Sequence, residues 1–113
     1  MDKDIQAKIS QLTMLEQNMQ QFSSQKQQYQ AQLVEAESAE KELGNAKEAY
    51  KIVGNVMVLK DRESLKKELS EKKEALSVRI ESFDKQEEKL RARAEALQAE
   101  VMASMKESSN DRE

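Results

Sequence analysis

Apolar residues recur along residues 2–45 at alternating three- and four-residue steps. Ile5, Leu12, Met19 and Leu33 share one heptad position, and Leu15, Phe22, Tyr29, Ala36 and Leu43 follow three residues later. That spacing predicts an α-helix with one apolar seam, about 40 residues and roughly 60 Å long at about 1.5 Å per residue. Gly44-Asn45 supplies its carboxyl-terminal stop. A second helix is predicted over residues 61–107, with Asp61 as its cap and Glu63 in its first turn. Its seam runs through Leu69, Leu76, Phe83, Leu90 and Leu97, joined by Ile80, Ala94 and Val101, while Lys73 and Glu87 stand where that second row would be apolar. Residues 108–113 read as a frayed polar tail.

Between the helices the period changes. In Tyr50-Lys51-Ile52-Val53-Gly54-Asn55-Val56-Met57-Val58-Leu59-Lys60-Asp61 a Gly-Asn pair interrupts two aliphatic and β-branched runs. Glycine at the first central position predicts a short β-hairpin with a type II′ turn. Val53 then faces Val56, Ile52 faces Met57, Lys51 faces Val58 and Tyr50 faces Leu59. One face of the hairpin is Tyr50, Ile52, Met57 and Leu59; the other carries Val53, Val56 and Val58 beside Lys51. A lone two-stranded hairpin cannot hide two apolar faces from water. The chain offers no further strands, so the missing ones are expected from other subunits, with Tyr50, Ile52, Val53, Val56, Met57, Val58 and Leu59 forming the interface.

Two long helices joined by a hairpin are expected to fold back as an antiparallel coiled coil. Pairing the seams puts Leu33 opposite Leu76, Met19 opposite Leu90, Leu12 opposite Leu97, Tyr29 opposite Ile80 and Leu15 opposite Ala94, and every pair is centred between Gly54 and Asn55. Heptads alone permit slips of seven, so the turn selects the register. The same register sets Lys26 against Phe83, Phe22 against Glu87, Ala36 against Lys73 and Glu40 against Leu69. These read as polar positions that fix register, their stems covering apolar surface while the charges reach water. Glu63 to Lys67, Glu68 to Lys72, Glu81 to Lys85 and Glu87 to Arg91 are spaced to pair along the second helix, each contributing about 0.2–0.5 kcal/mol.

Composition narrows the function. With no Pro, no Trp, two Gly, two Phe and 36% charged residues, the chain reads as a coiled coil rather than a compact globule. Nineteen basic residues against 22 acidic leave a net charge of −3 with the signs interspersed, which argues against a nucleic-acid surface. The absence of His and Cys removes the commonest general base and the usual transition-metal ligands. Neither glycine sits in a phosphate-cradling loop. Adjacent carboxylates such as Glu87-Glu88 point in different directions on a helix and read as solvated surface. No enzymatic site, cofactor or metal is therefore expected. There is no apolar run for a membrane span and no amino-terminal one for a secretory signal, so a cytoplasmic protein is the default.

One apolar surplus lies off the seam. Ile9, Met14, Met102 and Met105 fall near the helix ends farthest along the chain from the hairpin; Val34 and Val78 are off-seam residues in the middle. Scattered surface apolars are common, yet methionine is flexible and polarizable and suits contact with varied apolar partners. With the neighbouring seam residues, Ile5, Ile9, Leu12, Met14, Leu97, Val101, Met102 and Met105 form a candidate set for binding varied apolar partners.

The run Tyr50 to Asp61 between two matched heptad helices, together with Lys85-Gln86-Glu87-Glu88-Lys89-Leu90, resembles the β-type subunits of the prefoldin family over residues 5–106. The Tyr-Lys-x-x-Gly-Asn hairpin is the most specific part, and a single hairpin fits the β class. The resemblance implies one prefoldin-like domain over residues 1–113. Its fold would be mainly α, an antiparallel coiled coil whose β-hairpin joins a multi-subunit β-barrel. It further implies a hexamer of two α-type and four β-type subunits that holds unfolded proteins without ATP and passes them to a group II chaperonin. A structural coiled-coil adaptor with one defined partner is the alternative.

Overall fold

The computed structural model describes residues 3–111. The element order is α1 (Lys3–Leu43), β1 (Ala49–Val53), β2 (Val56–Lys60) and α2 (Arg62–Asp111). The chain is mainly helical, two long helices with one antiparallel hairpin between them. It divides into two compact units, Met1–Gln25 with Ser82–Glu113, and Lys26–Glu81. The seam predicted from heptads is the least exposed row of each helix.

In the unit built from the start of α1 and the end of α2, Ile5, Leu15, Ala94 and Val101 are buried. The Phe22 and Phe83 rings meet at 5.8 Å between centroids with a 55° tilt, a favourable aromatic geometry. Lys8 pairs with Glu100 at 3.7 Å. As residue numbers rise on one helix they fall on the other, so the helices here are antiparallel. The same holds in the second unit, where Lys73 pairs with Glu40 at 3.3 Å and Arg79 Nη1 donates to Tyr29 Oη at 3.2 Å with its guanidinium 5.5 Å from the ring centroid. Leu76, Ala36 and Leu43 are buried there.

These contacts refine how the polar seam positions are accommodated. Direct apposition sets Phe22 against Glu87 and Glu40 against Leu69, but the side chains reach one turn along the partner helix. Phe22 meets Phe83 and Glu40 meets Lys73. The two phenyl rings are thus paired with one another, the two charges Glu40 and Lys73 likewise, and Glu87 is only 8% exposed, tucked into the seam. Cysteines placed at Leu12 and Leu97, or at Leu33 and Leu76, are expected to cross-link within one chain on mild oxidation. Cross-linking one heptad away in place of both pairs would overturn this register.

The helix termini show how the ends are made. Leu43 ends α1, and the amides of Gly44, Asn45 and Ala46 turn back onto the carbonyls of Lys41, Glu42 and Leu43 at 3.2–3.3 Å. Gly44 is not left-handed; among the described residues only Gly54 has positive φ, so α1 stops at Gly44-Asn45 through a tightened final turn. The Asp61 carboxylate accepts from the Ser64 amide at 3.2 Å and caps α2 as expected. At its far end α2 continues through Asp111, beyond the end near residue 107 that the polar tail implies. No Gly or Pro interrupts it there, and extending a formed helix costs little. The remainder of the expected tail, residues 112 and 113, lies outside the described residues.

Candidate functional site

The hairpin has the register read from sequence: Tyr50↔Leu59, Lys51↔Val58, Ile52↔Met57 and Val53↔Val56, extended by Ala49↔Lys60. Gly54 has φ +62° while Asn55 stays at negative φ, the sign pattern of a type II′ turn. A Cβ at Gly54 would touch nothing within 4 Å, so the barrier to replacing it is backbone strain alone. Gly54→Ala is expected to destabilise the hairpin by about 1–2 kcal/mol, read as a lower denaturation midpoint, whereas Asn55→Ala should change it little. Equal midpoints for both variants would mean that the turn tolerates rearrangement.

The two faces of the hairpin differ in their surroundings. Ala49, Lys51 and Lys60 lie on one face with Val53, Val56 and Val58; Ala49 is buried, and Lys51 and Lys60 approach Glu68 of α2 at 3.2 and 4.0 Å. Arg62 Nη2 donates to the Gly44 carbonyl at 2.8 Å. Glu68, spaced in sequence to pair with Lys72, is thus engaged by both strands. The ion pairs are half-exposed, contributing about 0–1 kcal/mol each, so their effect is mainly to orient the hairpin on the first turns of α2. Ala49 and Glu68 escape sequence reasoning because a small residue before the strand and one glutamate among many carry no periodic signal.

The opposite face, Tyr50, Ile52, Met57 and Leu59, is largely exposed and has no covering layer among the described residues. All seven expected interface residues are between 42% and 71% exposed, and β1 and β2 pair only with each other. The Tyr50 hydroxyl donates to Glu48 Oε2 at 2.7 Å, and this hydrogen bond raises the phenol above its usual 10.0. An open groove of about 650 Å³ adjoins β1, lined by apolar residues such as Leu43, Ile52 and Leu69 and by charged ones such as Glu42, Lys51 and Lys72. Exposed apolar surface of the extent seen on the hairpin is characteristic of association sites in general.

The client-binding candidates separate by exposure. Ile5 and Val101 are buried and Leu12 and Leu97 half-buried. Ile9, Met14, Met102 and Met105 are exposed, Met14 and Met102 by 63% and 71%. All eight belong to one compact unit. Val34 and Val78 are exposed as well, in the other unit. Among the described residues no cluster of His, Cys, Asp or Glu is placed to hold a metal ion, and no helix is long and apolar enough to cross a membrane.

A two-helix protomer with a lone, uncovered β-hairpin is a subunit architecture, and comparison with known proteins specifies which. The family model described as Prefoldin subunit matches residues 6–108, and the chain belongs to that family. It is 40% identical over 92 residues, 79% of each chain, to a prefoldin subunit beta of Archaeoglobus fulgidus. It is 33% identical over 105 residues, 90% of each chain, to that of Thermococcus onnurineus. The crystal structure of the prefoldin beta subunit from Thermococcus strain KS-1 superposes with a TM-score of 0.85 at 32% identity, covering 91% of this chain and 93% of the other.

Proposed function

We propose that this chain is a β-type subunit of an ATP-independent holdase. Four copies assemble with two α-type prefoldin subunits through their hairpins, whose strands complete β-barrels. The hexamer works in the cytoplasm, captures unfolded proteins at the helix ends and passes them to a group II chaperonin. The observation that carries the reading is the pair of exposed apolar surfaces. The hairpin presents seven apolar side chains and two open strand edges, as an assembling element must. Ile9, Met14, Met102 and Met105 present flexible apolar surface that the seam does not need. These four make first contact with clients, backed by Ile5, Leu12, Leu97 and Val101.

Holding a client needs no nucleotide, because weak apolar contacts from several subunits sum through a raised effective concentration. Neither nucleic acid nor membrane is a partner in this reading. The test is to mix the assembled protein with several unrelated denatured proteins and follow aggregation by light scattering. Suppression across all of them is expected; protection of a single one would instead make the chain an adaptor for a defined partner.

A further inference from the structure

We propose that the helix-end unit recognises a specific local chemistry in unfolded chains, an apolar side chain adjacent to a carboxylate, through a pocket between Met14 and Arg93. The inference rests on the client-capture reading above and adds to it a preference for one class of segment. The pocket, about 190 Å³, is lined by Gln11, Met14, Leu15 and Asn18 of α1 and Arg93 of α2, all within one compact unit. It is smaller than the roughly 300–1,000 Å³ of small-molecule sites and suits a single side chain.

Its chemistry is divided into three parts. Leu15, which is buried, and Met14, which is largely exposed, offer apolar surface, and the methionine can adapt to aliphatic or aromatic shapes. Gln11 and Asn18 each present a carboxamide donor and acceptor, the complement of a peptide group in an extended chain that has no secondary structure to satisfy it. Arg93 supplies an uncompensated cation.

Arg93 shares that lack of a partner with Lys89, Arg91 and other surface cations, but it is the cation that lines this pocket. Lys8, Lys51 and Lys73 each have a carboxylate within 4 Å, whereas Arg93 makes no ion pair or hydrogen bond within the described residues. The reason is legible in its surroundings. Its helical neighbours three and four residues away are Lys89, Leu90, Ala96 and Leu97, and the α1 residues across the pocket are uncharged. Glu95 lies two residues on and points elsewhere on the helix. A planar guanidinium beside an apolar pocket matches a carboxylate geometrically as well as electrostatically. The occupant that satisfies all three parts is an extended segment with a Leu-, Ile- or Phe-type side chain next to Asp or Glu.

The experiment uses the assembled protein and a fluorescently labelled, permanently unfolded polypeptide in two versions, one with repeated Leu-Glu pairs and one with Leu-Gln, with binding followed by anisotropy. The acidic version should bind about three- to fivefold more tightly, the scale of an exposed charge pair. The advantage should vanish near 1 M salt, where the Debye length is about 3 Å. In Arg93→Gln, checked for size and helical content, the two versions should bind equally, and in Arg93→Glu the neutral version should bind better. Equal affinity of both versions for the unmodified protein, or an acidic advantage that persists in Arg93→Gln, overturns the preference while leaving client capture standing. Failure to bind either version, with no suppression of aggregation, overturns both.

Discussion

Replacing Ile52 and Val58 together by lysine is expected to dissociate the assembly into smaller species while helical circular dichroism is largely preserved. The two residues lie on opposite faces of the hairpin and are 71% and 42% exposed, so neither substitution opens a cavity within the chain. The exposed part of their apolar surface is left uncovered by the described residues of the chain, and the loss there falls on contacts between subunits. Burying one aliphatic side chain contributes about 1.5–3 kcal/mol. Losing two therefore weakens association by roughly two to four powers of ten, before the cost of burying two ammonium groups is added. Sedimentation velocity reads the outcome directly, and a variant that still sediments at full size removes the hairpin from the interface.

Removing the exposed apolar surface of the helix ends is expected to abolish aggregation suppression without altering assembly. Changing Ile9, Met14, Met102 and Met105 together to serine touches only exposed positions, whereas deleting residues 1–10 and 103–113 also takes away buried Ile5 and the Lys8 to Glu100 ion pair. Both variants should lose activity, and the substituted one isolates surface chemistry from packing. Met14→Ser alone should weaken suppression only modestly, because a multivalent hold degrades gradually as single contacts are lost. Undiminished suppression by the quadruple variant, verified for size, would falsify the placement of client binding at the helix ends and move it to the remaining helical surface or the groove beside β1.

The features legible in the residues are those with a local or periodic cause. A repeat of three and four residues marks a helix whichever partner it meets, and the least exposed row of each helix follows the heptads. Gly54-Asn55 demanded a turn with positive φ at its first central residue, and Gly54 adopts it. Because a strand alternates its side chains, that turn determined all four strand pairings read from it. The exposed status of the hairpin residues and of Ile9, Met14, Met102 and Met105 also followed, since an apolar residue off the seam of a two-helix unit has nothing to cover it.

What the sequence alone could not decide were choices among near-equivalent partners. Glu68 could pair with Lys72 one turn along α2 at a cost similar to that of pairing with the strands, and only folding brought Lys51 and Lys60 within reach. Phe22 could stack against the residue directly opposite or one turn away; the tertiary structure placed it on Phe83 and let Glu40 find Lys73. Gly44 could end α1 in a left-handed cap, yet the chain stopped with a tightened turn. The pocket joining Met14 to Arg93 combines residues from opposite ends of the chain. The physical reason is common to all of these: periodicity and turn chemistry act over a few residues and are written in order along the chain. The energies that choose between one long flexible side chain and another differ by less than about 1 kcal/mol and are settled only once the backbones have been brought together.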